Sequence, residues 1–184
     1  MAKAGDVIEN PVSGERFTFL KTAADTNGEL LQAELALRPG GRVPADHVHP
    51  RQEERFEVIS GTARCKAGDV VRDLSAGESL VVPPGRSHRP WNETDQEVRI
   101  LVEFRPALRT EEFFETFCGL ASDGKAGKSG LPRNPLQLSV MSHEYEMFLA
   151  RPPLWLQRPL IAAIAALARL MGYRARYEKY SGPE

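Results

Sequence analysis

The chain has 184 residues, 41% of them hydrophobic and 27% charged, with a formal net charge of -1. That length suits one domain with a helical appendage, and the balance excludes both a wholly disordered chain and a dedicated nucleic-acid binder, which would carry a large basic surplus. Two cysteines, Cys65 and Cys118, do not make a disulfide scaffold and suit small buried thiols in a reducing compartment. Met1 to Asn10 lacks the apolar stretch of an export signal, so a cytoplasmic location is expected.

In chain order, Arg16 to Leu20 reads as a strand, and Asn27-Gly28 as a turn. Leu31, Ala33, Leu35 and Leu37 alternate with Gln32, Glu34, Ala36 and Arg38, the period of a half-buried strand. Phe56 and Val58 share a face, and so do Val98, Ile100, Val102 and Phe104. Cys65 falls in step with Ala63 and Ala67 and is expected inside, as core filler. Short strands punctuated by Gly40-Gly41, Gly61, Gly68, Gly77 and Gly85 indicate a β-sandwich or small barrel.

The period becomes helical after Pro106. Thr110 is the expected N-cap of a first helix, with Glu111 and Glu112 in its first turn and a stripe of Phe113, Phe114 and Phe117. A second helix is expected within Leu136 to Leu149. A third is expected from Pro159 to Gly172, with Ile161, Ile164, Leu167, Ala168 and Met171 on its apolar face. The uninterrupted apolar run there, Leu160 to Ala168, falls far short of the roughly 20 residues of a spanning helix, so no membrane span is expected. The chain thus divides into a barrel, residues 1–106, and a helical extension, residues 107–184. With the dividing line at Phe104, charge parts the same way, net -4 before it and +3 after it.

Three of the four histidines carry a chemical pattern. His47 and His49 lie two apart, and on a strand that spacing puts both on one face. Glu54 follows five residues later, in step with Phe56 and Val58; Glu53, the rival carboxylate, then faces the other way. His88 follows the Pro83-Pro84-Gly85 turn, which re-aims the chain toward the same interior. Three imidazoles and one carboxylate suit a divalent transition metal (iron, manganese, nickel, copper or zinc) with coordination positions left for water or substrate. Arg86, Arg89 and Trp91 either line the mouth or form its outer rim. His143 lies in the second helical pattern beside Glu144, where a lone histidine is ordinarily structural.

Gly41, His47, His49, Glu54 and Gly61 are spaced as in the first motif of the cupins, and Gly77, Pro83, Gly85, His88 and Asn92 as in the second. The chain therefore resembles the cupin superfamily, in particular small bacterial single-domain cupins of unassigned activity. The resemblance implies a mainly β fold, a double-stranded β-helix (jelly-roll) barrel, here with a C-terminal α-helical extension. It implies His47, His49, Glu54 and His88 as metal ligands, and Asn92 as a structural residue. It also implies a small-molecule substrate or ligand inside the barrel. Dioxygenase, isomerase or lyase chemistry on an oxygen-rich molecule is one expectation, with Glu54 as a base that leaves the metal transiently. A non-enzymatic binding or sensing barrel is the alternative. Phe113, Phe114, Phe117, Leu154, Trp155 and the Ile161–Met171 face are too much apolar surface to leave wet. They are expected to cover the barrel or to pair with a second copy as a homodimer.

Overall fold

The computed structural model describes residues 2–183. Ten strands come first: β1 (Val7–Asn10), β2 (Glu15–Lys21), β3 (Leu31–Leu37), β4 (His47–Val48), β5 (Glu53–Ser60), β6 (Thr62–Ala67), β7 (Val70–Ser75), β8 (Ser79–Val82), β9 (His88–Trp91) and β10 (Val98–Arg105). They are followed by α1 (Thr110–Ser122), α2 (Pro135–Tyr145), β11 (Phe148–Leu149), α3 (Leu154–Leu170) and α4 (Glu178–Ser181). The strands build two antiparallel sheets, ordered β1-β2-β3-β10-β5-β8 and β11-β4-β9-β6-β7.

The core is the inward half of the alternating strands. Leu31, Ala33, Leu35 and Leu37 of β3 are buried beside Val98, Ile100, Val102 and Phe104 of β10, which pair with them residue by residue. Phe56 and Val58 continue the face on the other side of β10. Each valine, leucine, isoleucine or phenylalanine so buried contributes about 1.5–3 kcal/mol of transfer free energy.

Two turns explain motif glycines. Gly61 joins β5 to β6 at φ +80°, where a Cβ would also press on Val98; a side chain there would be strained. At Gly41 the chain passes so close to the Arg38 and Gly14 carbonyls that a Cβ would lie 2.8 and 3.0 Å from them. Asn92 staples the strand ends. Its amide donates to the carbonyls of Leu37, Arg38 and Gln96, and its oxygen accepts from the Thr94 amide.

The helices differ from the sequence expectation in instructive places. Thr110 is the first residue of α1 rather than its cap, which falls at Arg109. The Thr110 hydroxyl is engaged instead with the Ala107 carbonyl and the Gln52 amide, 2.8 Å from each. In α2 the cap is Asn134, whose side chain accepts from the Leu136 amide. That helix stops at Tyr145, and Phe148–Leu149 returns as a strand.

The third helix starts at Leu154, five residues before Pro159. Pro159 removes the hydrogen bond to the Trp155 carbonyl, and Trp155 is 76% exposed, so water can serve that oxygen. Of the expected apolar face, Ala168 is buried and Ile161 and Ile164 are half-buried, but its other two members lie outside. Ala165 and Ala168 are buried, whereas Leu167 and Met171 lie mostly in solvent. Small residues let α3 lie close against α2, and the Arg169–Glu144 (2.7 Å) and Arg158–Glu146 (3.0 Å) ion pairs flank that contact. Among the described residues, no helix is long and apolar enough to cross a membrane.

Candidate metal centre

The two sheets bring His47, His49, Glu54 and His88 together, with one potential ligand atom from each within 4.8 Å of all the others. Each sheet supplies part of the set. His47 on β4 pairs directly with His88 on β9. Glu54 projects from β5, between Phe104 and Val82 on its two neighbours. His49 lies just past β4, and its carbonyl accepts from the Gly85 amide at 2.9 Å, so the Pro83-Pro84-Gly85 turn is bound to the strand it faces. Glu54 is buried and Glu53 only half-buried, as strand alternation requires.

Glu54 Oε2 is the hub. It lies 2.6 Å from His88 Nε2, 3.2 Å from His49 Nε2 and 4.0 Å from His47 Nε2. The Nδ1 atoms of His47 and His88 each sit 3.0 Å from a main-chain carbonyl, of Ala45 and Arg86. Donation from Nδ1 fixes the ring and leaves Nε2 facing the cluster, the second-sphere arrangement that holds metal-ligating imidazoles. His49 is the odd member. Both of its ring nitrogens are buried without a hydrogen-bond partner, because the 3.2 Å approach to Glu54 is poorly aligned. A buried imidazole left so is costly. A cation among the four donors would satisfy its Nε2, the nitrogen that faces Glu54, and the donor set fits a divalent transition metal.

Electrostatics agree. Burial and then the neighbouring His88 and His49 push the His47 pKa well down. Burial acts against the charged forms of Glu54 and His88 too, but their mutual contact outweighs it. The Glu54 carboxyl ends below the usual range and the His88 imidazole above its own.

Other sequence candidates lie elsewhere. Arg89 and Trp91 alternate with the inward His88 and Pro90 and face outward. Arg89 reaches Asp46 at 3.1 Å and stacks over the Trp91 ring. Arg86 donates to the Ala67 carbonyl. These three form the outer rim and not the wall of the interior. Cys65 is buried in the core, its thiol pushed up to about 12 by burial and by Glu54 and Asp73, which makes it an inert thiol. His143 is exposed on α2.

Two features escaped sequence reasoning. The strand β11 comes from the helical extension and pairs with β4, placing Leu149 opposite His47. Gln157 of α3 anchors it by donating to the Leu149 and Pro152 carbonyls. A two-residue strand has no legible period. The second feature is Glu15, buried with the core at the start of β2 and pushed up to about 8 by burial, against a hydrogen bond from Ser13. Its step of two with Phe17 and Phe19 was the available signal. Glu15 lines a cavity of about 70 Å³ that also touches His47, His49 and Glu54 and is roofed by α1, α2 and β11.

The cupin-domain family model matches residues 33–104. Over 154 residues the chain is 29% identical to an oxidoreductase of Arthrobotrys oligospora, covering 79% of this chain and 58% of that protein. Over 70 residues it is 31% identical to the polyketide synthase CurC of Streptomyces cyaneus, covering 38% of this chain and 45% of that protein. The chain thus spans about half the length of the curated relatives it matches. An RmlC-like cupin from Shewanella frigidimarina superposes with a TM-score of 0.51 at 21% identity, over 60% of this chain and 92% of that one. A predicted oxalate decarboxylase from Thermotoga maritima gives 0.51 at 17% identity, over 58% and 98%. With two antiparallel sheets, both motifs in register and this fold likeness, residues 33–104 form a cupin domain, and the barrel has the RmlC-like cupin fold.

Proposed function

We propose that His47, His49, Glu54 and His88 bind one divalent transition metal, and that the protein acts there on a small oxygen-bearing organic molecule. The observation that carries this reading is the convergence of four buried or half-buried donors, with His49 Nε2 aimed into the cluster and without a hydrogen-bond partner among the described residues. Bound there, the metal would supply Lewis acidity, or redox chemistry if it is iron or copper. The chain's own part is to hold three Nε2 atoms and one carboxylate in place through the Ala45 and Arg86 carbonyls. Glu54 is the only carboxylate in the cluster and is the base of this reading when a substrate proton must move. Oxygenase, isomerase and lyase reactions all fit such a site. Similarity to the Arthrobotrys oligospora oxidoreductase favours the first.

Elemental mass spectrometry of untagged protein tests the reading. One metal ion per chain is expected, lost in His49→Ala and His88→Ala. A metal-free parent after reconstitution would sink it and leave a ligand-binding barrel. We further propose a homodimer, in which a second copy covers the exposed apolar side of α3, where Trp155, Leu156, Leu160, Leu167, Leu170 and Met171 all face solvent.

A further inference from the structure

The wall of the cavity beside the cluster has a chemical bias of its own. Its roof comes from the helical extension and is aromatic and aliphatic: Phe114 and Phe117 of α1, Leu138 of α2, then Met147 and Phe148. Among the described residues outside the cluster, the only polar side chains that line it are Glu15 and Ser142, and no lysine or arginine does. Arg86 and Arg89 are engaged instead with the Ala67 carbonyl and Asp46. Burial also holds Glu15 in its neutral form near pH 7, with its carboxyl pushed up to about 8.

A bound divalent ion with one carboxylate and three neutral imidazoles would offer a single net positive charge. A monoanionic or chelating head is thereby served. A second negative charge on the same molecule would lose its water and meet only hydrocarbon and a carboxyl group. An apolar body would instead replace poorly hydrated surface with contact to phenyl and methyl groups.

We propose that the cavity selects a small, apolar-bodied molecule that bears two neighbouring oxygen donors and at most one negative charge, and rejects dicarboxylates and phosphate esters of similar size. This rests on the metal-site reading above for the placement of the oxygen end. The apolar selection comes from the barrel's Phe17 and Phe104 together with side chains of the extension, which the barrel motifs do not include.

A matched pair of probes separates the two ligand classes. Pentane-2,4-dione and malonate share one skeleton, with methyl groups in the first where the second has charged oxygens. Calorimetric titration of each into the full chain at pH 7, under nitrogen, is run with the metal bound and again after its removal. With metal, the dione is expected to bind roughly tenfold or more tightly than malonate. Ser142→Phe, which fills the cavity away from the cluster, should weaken the dione by about that factor while metal content stays unchanged. Met147→Lys, which puts an ammonium on a half-buried residue of the cavity wall, should move the preference toward malonate. Equal or tighter malonate binding by the metal-loaded parent overturns the proposal, and so does a Met147→Lys chain with an unaltered preference. If the parent holds no metal, the metal reading fails alone. The metal-free titration then judges the cavity, where a surviving dione preference supports the selection and its absence overturns it.

Discussion

The first and third helices are both rich in apolar residues, and they spend them in opposite ways. On α1 the large side chains point down. Phe114 stacks on Phe17 of the barrel at 4.3 Å, Phe113 and Phe117 stack on each other, and all three are buried. On α3 the large side chains point out, and contact with the protein is made through Ala165 and Ala168, while Leu170 is 86% exposed. The lesson concerns which part of an amphipathic pattern reaches the core. α1 lies over a roomy barrel mouth and fills it with rings. α3 lies against another helix, where small residues permit close approach, and its leucines have nothing beneath them.

The sharpest way to break this contrast is to remove a ring from α1. Phe114→Ala is expected to destabilise the fold by about 3–5 kcal/mol, read from denaturant midpoints, because the ring bridges barrel and helix. A smaller loss would mean that α1 covers the mouth without being packed into it.

A second test uses the carboxyl under that cover. Glu15 has a folded pKa of about 8 against an ordinary value of 4.5. Between those two pH values the folded chain holds a proton that the unfolded chain has released. Its contribution is therefore fully present below 4.5 and is lost as pH rises through 8. Relative to Glu15→Gln, the parent should lose stability by about 1.4 kcal/mol per pH unit across that window. Parallel stability curves for the two chains would show that Glu15 is better solvated than its burial implies.

The smallest effect is expected on α3. Exchanging Trp155 and Leu170 for serine should move the stability of the isolated protomer by less than about 0.5 kcal/mol per site. The same double variant should convert a sedimenting dimer to a monomer. A parent that is monomeric at micromolar concentration would instead leave that face without a second copy.

Most of the barrel was legible because its strands are half-buried, so alternation reports directly on the inside. Leu31 to Leu37 and Val98 to Phe104 carry that signal, and the cluster inherits it, since Glu54 is in step with Phe56. The helices were less legible for specific reasons. Thr110 looks like a cap, but Gln52, far away in sequence, takes its hydroxyl. Pro159 looks like a start, but an exposed first turn tolerates the missing hydrogen bond. The apolar face of α3 was read correctly at Ala168, but hydrophobicity also favours Leu167 and Met171, where the contact took Ala165 instead. The cavity roof could not be read locally at all, because it depends on where β11 lands.

That landing also sets an order of events during synthesis. Phe148 pairs with Val48, one hundred positions earlier in the chain. All ten barrel strands and every member of the histidine–glutamate cluster precede α1, so they leave the ribosome before the strand that walls the cluster in. A nascent barrel can gather its sheets while its mouth is still open. An ion or small molecule would then meet fewer obstacles than in the finished chain, where β11 and the helices stand in the way. Chain direction alone lets the cluster's residues emerge before the strand that closes over them.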